Sequence, residues 1–85
     1  MIKTVLQLKK NENDIPVFSQ PLEKDFDYEI GNVFEYTNLI FNKLSDIEKQ
    51  HFKNFGLEKG YFRIQNKWID YSADSEIVYF EMFAL

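Results

Sequence analysis

From Tyr61 to Tyr71 the chain reads Tyr-Phe-Arg-Ile-Gln-Asn-Lys-Trp-Ile-Asp-Tyr, and this stretch constrains the fold more than any other. Folded about Asn66-Lys67 as a two-residue hairpin, it sets Gln65 opposite Trp68, Ile64 opposite Ile69, Arg63 opposite Asp70 and Phe62 opposite Tyr71. Apolar side chains then meet on one face and opposite charges on the other. The segment Glu76-Ile-Val-Tyr-Phe-Glu-Met-Phe83 continues the alternation, so the C-terminal third reads as a three-stranded antiparallel meander. With Tyr71 opposite Glu76 across Ala73-Asp74, one face carries Phe62, Ile64, Ile69, Tyr71, Val78, Phe80 and Met82. The other carries Tyr61, Arg63, Gln65, Trp68, Asp70, Ile77, Tyr79, Glu81 and Phe83.

The rest of the chain supplies partners for that sheet. Ile2, Thr4, Leu6 and Leu8 alternate with Lys3, Val5 and Gln7, the pattern of a half-buried strand. Lys9 to Asp14 is a polar turn. Ile15-Pro-Val-Phe18 suits at most a brief edge strand, because Pro16 has no donor, and Pro21 to Ile30 has no sustained period and reads as loop. Val33, Thr37, Ile40 and Leu44 recur at helical spacing behind a candidate N-cap, Asn32, although Val33-Phe34 and Tyr36-Thr37 also suit a strand. A second helix is marked by the capping box Ser45-Asp-Ile-Glu48, with Ile47, Phe52 and Phe55 as its apolar stripe and Gly56 beyond its end. The expected fold is α+β: one domain over residues 1–85, with a small antiparallel sheet made of the N-terminal strand and the meander, and two short helices on one face.

Composition narrows the function. Eighty-five residues allow one small core, and nine Phe, five Tyr and one Trp enlarge it. Without cysteine there is neither a disulfide nor a thiolate metal site, and no apolar run approaches the ~20 residues of a membrane span. A soluble, cytoplasmic protein that does not engage membrane is expected. The net charge of −4 is unevenly placed: residues 1–11 sum to +3, while residues 12–35 carry seven carboxylates against Lys24. Such a field repels phosphates, so direct nucleic-acid binding is not expected, and it steers a basic partner.

Chemical motifs are sparse. His51 is the only histidine and sits mid-helix beside Gln50 and Lys53. Asp25, Asp27 and Glu29 alternate but lack the spacing and glycine of a calcium loop. Gly31, Gly56 and Gly60 are scattered and make no phosphate loop. No catalytic residue, cofactor or metal is expected. What the chain does offer is an outer sheet face on which rings stand among charges of both signs, the mixture that dominates recognition surfaces. Tyr61, Arg63, Trp68, Asp70 and Tyr79 are its candidate anchors, with Asp25, Asp27 and Glu29 supplying steering.

At Lys24-Asp-Phe26, followed by Gly31-Asn-Val-Phe-Glu35, the chain resembles the cloacin-type immunity proteins. These are short, acidic and cysteine-free, and they bind and neutralise the nuclease domain of a bacterial toxin. Their pattern also places Lys-Asp-Phe before Gly-x-Val-x-Glu, with a shorter gap than here. His51-Phe-Lys-Asn54 is similar to a stretch in some members, although a further strand follows it in this chain. The resemblance implies an antiparallel sheet whose open acidic and aromatic face binds a basic nuclease, and it transfers no individual binding residue. The expected function is therefore a non-enzymatic inhibitor or antidote against a basic nucleic-acid-handling protein, in toxin immunity or as a phage-encoded block on a host defence nuclease. The alternative is a small structural or regulatory homodimer without inhibitory role.

Overall fold

The computed structural model describes residues 1–57, 60–71 and 75–85. Its elements are β1 (Thr4–Lys9), β2 (Phe18–Leu22), β3 (Val33–Glu35), α1 (Asn38–Phe41), α2 (Asp46–Asn54), β4 (Tyr61–Asp70) and β5 (Ile77–Ala84). The strands form one sheet in the order β2-β1-β5-β4-β3. The class is α+β, as expected, but the sheet is larger than a strand added to a meander, and it is mixed. β1 lies parallel to β5, with Leu6 beside Phe80 and Leu8 beside Met82, so the first and last strands share the centre. None of the helices among the described residues is long and apolar enough to cross a membrane.

The hairpin at Asn66-Lys67 does not form. Tyr61–Asp70 is one continuous strand, and Gln65 is an extra residue within it: Ile64 pairs with Met82, and the next pair is Asn66 with Glu81. A single inserted residue shifts the alternation by one position, as a two-residue turn also does. Phe62, Ile64 and Ile69 therefore do share a face, although Ile69 lies at its margin and is 39% exposed. Arg63 is not opposite Asp70. It pairs with Val33 on one side and Phe83 on the other, and Asp70 pairs with Ile77. Seven residues of extended chain separate the two, roughly 20 Å. Tyr71, expected on the buried face, is exposed. The pairing of Trp68 with Tyr79 and of Ile69 with Val78 is as read, while the turn at Ala73-Asp74 lies outside the described residues.

Residues 33–44 do not form one helix. Gly31 adopts a φ of +93°, a conformation that favours glycine, and its N–H donates to the Ile64 carbonyl while Ile64 donates back to Asn32. This clamps Val33–Glu35 onto β4, with Phe34 buried and its neighbours outward. The helix starts only after Thr37, whose hydroxyl accepts from Ile40, so Thr37 rather than Asn32 is the cap. The capping box of α2 is present in both directions, Glu48 N–H to Ser45 Oγ at 3.2 Å and Ser45 N–H to Glu48 Oε1 at 3.0 Å. Gly56 follows the helix at a φ of +67°. The apolar stripe of α2 is narrower than expected: Phe52 is buried, but Ile47 is 84% exposed and Phe55 is partly exposed. Five residues at about 100° each carry Ile47 some 140° from Phe52, onto the solvent side.

β2 begins at Phe18 rather than ending there, and Pro21 is accommodated because the strand is an edge. The loop thus starts at Glu23. It lies over the helix side of the sheet with Phe26 and Tyr28 turned inward, their rings 5.4 and 5.1 Å from that of Phe34. The core between sheet and helices joins Leu6, Leu8, Phe62, Ile64, Phe80 and Met82 to Phe34, Leu44, Phe52 and Leu57. Rings supply much of it: Phe52 stacks on Tyr36 and meets Phe18 and Phe41 edge-on. Phe52→Ala would remove a junction of this kind, a change worth about 3–5 kcal/mol.

Candidate protein-binding face

The helices and the 23–30 loop cover one side of the sheet, and the opposite face of β4 and β5 is the candidate site. Alternation places Tyr61, Arg63, Asn66, Trp68 and Asp70 of β4 on it, beside Ile77, Tyr79, Glu81 and Phe83 of β5. The five anchor residues read from sequence are thus brought to one face. Trp68 and Tyr79 stack across the strand pair, with ring centroids 5.3 Å apart and planes 4° from parallel. Even so stacked, Trp68 is 41% exposed, and Tyr61 is 52% exposed at the other end of the strand. Among the described residues no carboxylate lies within ion-pair distance of Arg63. Beside it, β3 adds Val33 and Glu35, both exposed.

A polar cluster fixes the middle of this face. Lys9 Nζ lies 2.9 Å from Glu81 Oε2, and Asn66 Nδ2 donates to the other carboxylate oxygen at 2.8 Å. The lysine side chain is only 4% exposed and the glutamate 16%. The Lys9 hydrogen bond, aided by that of Asn66, holds the Glu81 carboxyl below the usual range. Gln65, the bulge residue, donates from Nε2 to the Glu12 carbonyl at 3.3 Å, and its Oε1 is buried without a hydrogen-bond partner among the described residues. Lys9 was not singled out from sequence, although its parity with Val5 and Gln7 was a sufficient signal.

Asp25, Asp27 and Glu29 are not on this face. They belong to the loop whose Phe26 and Tyr28 pack inward over the helix side of the sheet, not to the strands of this face. Asp25 lies 3.6 Å from Lys3, and Glu29 lies 3.3 Å from Lys67, whose Nζ stands over the Phe80 ring on the same side. The anchors and the acidic triplet therefore occupy two separate surfaces.

The helix side has shallow clefts. One of about 310 Å³ is lined by Leu22, Lys24, Phe26, Tyr28, Phe34 and Ile40, and another of about 250 Å³ includes Tyr36, Phe41, Phe52 and Lys53. Burial raises the Tyr36 hydroxyl above the ordinary tyrosine range, and it donates to Gln20 Oε1. That proton is held in a structural bond that ties β2 to the entry of α1, since Gln20 Nε2 donates on to the Ile40 carbonyl. His51 lies at the α2 surface with Nε2 3.4 Å from the Val17 carbonyl. Among the described residues no group of three or more His, Cys, Asp or Glu side chains is set to hold a metal ion. Neither a family model, nor a curated protein, nor a solved structure matches the chain, so it is the geometry of the sheet face that carries the functional argument.

Proposed function

We propose that the outer face of β4 and β5 is a protein-recognition surface, and that the chain is a stoichiometric inhibitor or antidote of a basic, nucleic-acid-handling protein such as a nuclease. The observation that carries the reading is the exposed, pre-stacked pair Trp68 and Tyr79 on the two longest strands, with Tyr61 and Arg63 further along the same face. Tyr, Trp and Arg provide most hot-spot energy, and rings already fixed by a cross-strand stack lose little freedom on binding. The sign of the partner follows from the net charge of −4 and the acidic stretch at residues 12–35.

The test uses the tagged chain to capture its partner from the native host, followed by binding of the purified partner to Trp68→Ala. Loss of about 2 kcal/mol or more in affinity, with the thermal melt preserved, is the expected result. Unchanged affinity alongside a lowered melting temperature would make Trp68 a packing residue and remove the proposal. Nuclease activity titrated with the chain should fall to baseline at one molar equivalent.

A further inference from the structure

β3 ends far short of β4, and this leaves a lane open. β3 covers β4 only at Tyr61, Phe62 and Arg63, and the Gly31–Ile64 and Ile64–Asn32 bonds extend the contact by one residue. Among the described residues no strand lies on that side beyond Ile64. The direction of the remaining amides follows from the ladder. Val78 N–H donates to the carbonyl of Lys3, just before β1, so the neighbouring residues Ile77 and Tyr79 turn their backbone groups toward β4. Their partners there are Asp70 and Trp68. Lys67 and Ile69, which alternate with them, must face the open lane with their N–H and C=O groups, and no backbone bond to another described residue engages them. The bulge at Gln65 sets this phase: with Gln65 in a regular ladder position the paired and open positions after Ile64 would exchange.

From these observations we infer that the Lys67–Ile69 edge of β4 accepts an extended segment of a cationic protein partner as a sixth strand. Pairing there supplies four backbone hydrogen bonds, the energetic core of strand addition, while alternate side chains of the guest read the two faces. On the outer face the guest meets Trp68. On the inner face it meets Ile69 and the carboxylate of Glu29, with exposed Asp27 and Ile30 in the same segment as that glutamate. Lys67 is the only cation between Ile64 and Tyr71, and Glu29 already holds it. A lysine or arginine on the inner side of the guest therefore meets acid, and an apolar residue meets isoleucine. A second copy is disfavoured because it joins two chains of net charge −4. The cationic character of the guest rests on the function proposed above, whereas the open edge rests on the ladder alone.

The probe is an acetylated and amidated hexapeptide of alternating Lys and Val, read by amide hydrogen exchange of the intact chain. At a peptide concentration ten times its dissociation constant, exchange at Lys67 and Ile69 should slow by about tenfold, with Trp68 and Asp70 unchanged. The same peptide N-methylated on alternate residues, in both phases, should lose this protection in the phase that removes the pairing donors, and a Glu-for-Lys peptide should not protect at all. Ile69→Pro removes one edge donor without touching the β5 ladder and should abolish binding; the methylated peptides ask the same question of the unaltered chain. Equal protection by both methylated peptides, protection by the Glu peptide, no protection at millimolar peptide, or protected amides in a free chain that sediments as a dimer would each overturn the inference. Because no natural partner enters this experiment, its failure is distinct from failure of the Trp68→Ala test.

Discussion

Lys9 illustrates how one side chain can tie a binding face to the stability of the fold. Its ammonium is almost wholly withdrawn from water on the sheet surface and pairs with the Glu81 carboxylate, whose other oxygen accepts from the Asn66 amide. An ion pair this enclosed lies between the ~0.5 kcal/mol of exposed pairs and the ~3–5 kcal/mol lost when one partner of a buried pair is removed. Glu81→Gln should therefore destabilise the chain at neutral pH by an amount between those limits. The pH dependence has a definite sign. The folded Glu81 carboxyl titrates below its ordinary value of 4.5, so its contribution is complete above that value and is lost as the pH falls through the folded value. Glu48, held down by the Ser45 backbone amide, and Glu23, held down by the N-terminal ammonium, act in the same direction. Urea melts should be flat from pH 7 to about 5 and weaken below. Glu81→Gln should start lower and fall less steeply.

The elements divide into those with a local signal and those without one. The α2 box was legible because Ser45 and Glu48 satisfy each other's amides within a single turn; Ser45→Ala should cost about 1 kcal/mol in chemical denaturation. The β1 alternation is legible because successive side chains of a strand point to opposite faces. The segment from Val33 to Leu44 has an apolar spacing that fits period 3.6, while Val33-Phe34 and Tyr36-Thr37 also suit a strand; the bonds joining Gly31 and Asn32 to Ile64 are tertiary, and they decide for a strand at Val33–Glu35. The parallel pairing of β1 with β5 links the two ends of the chain and had no local signature. Residues 61–71 are the informative case. The faces were read largely correctly and the cause wrongly, since a turn and a one-residue bulge change the alternation alike. Deletion of Gln65 separates the two: with a bulge, Ile64 stays opposite Met82, Asn66 opposite Glu81 and Trp68 opposite Tyr79, and the extra residue simply disappears. The shortened chain should melt within about 1 kcal/mol of the parent, because it loses one buried, unpartnered amide oxygen along with the bulge. Its near-ultraviolet circular dichroism should retain the Trp68–Tyr79 coupling. A hairpin at Asn66-Lys67 would instead lose its register and exchange its faces.

At the scale of the whole molecule, the anchors and the field act from different sides. The rings of β4 and β5 stand on the open face, while Asp25, Asp27 and Glu29 lie in the loop between β2 and β3, two of them next to lysines. Short-range contact and long-range attraction can therefore be altered independently, which a single mixed site would not permit. Neutralising the three carboxylates together, as Asp25→Asn, Asp27→Asn and Glu29→Gln, changes the net charge from −4 to −1 without touching the ring face. Exposed pairs such as Asp25 with Lys3 contribute ~1 kcal/mol or less, so the variant should remain folded. If the partner is basic, its association with the variant should be slower by about tenfold at low ionic strength and nearly independent of salt, with dissociation unchanged. Trp68→Ala should show the reverse, a faster dissociation with the salt dependence of association intact. Stopped-flow association at two salt concentrations, with dissociation followed by competition, separates the four rates. An association rate that ignores both salt and the three carboxylates would leave the face as a recognition surface for a neutral or acidic partner. Inhibition of a basic nuclease would then have to be abandoned as the function.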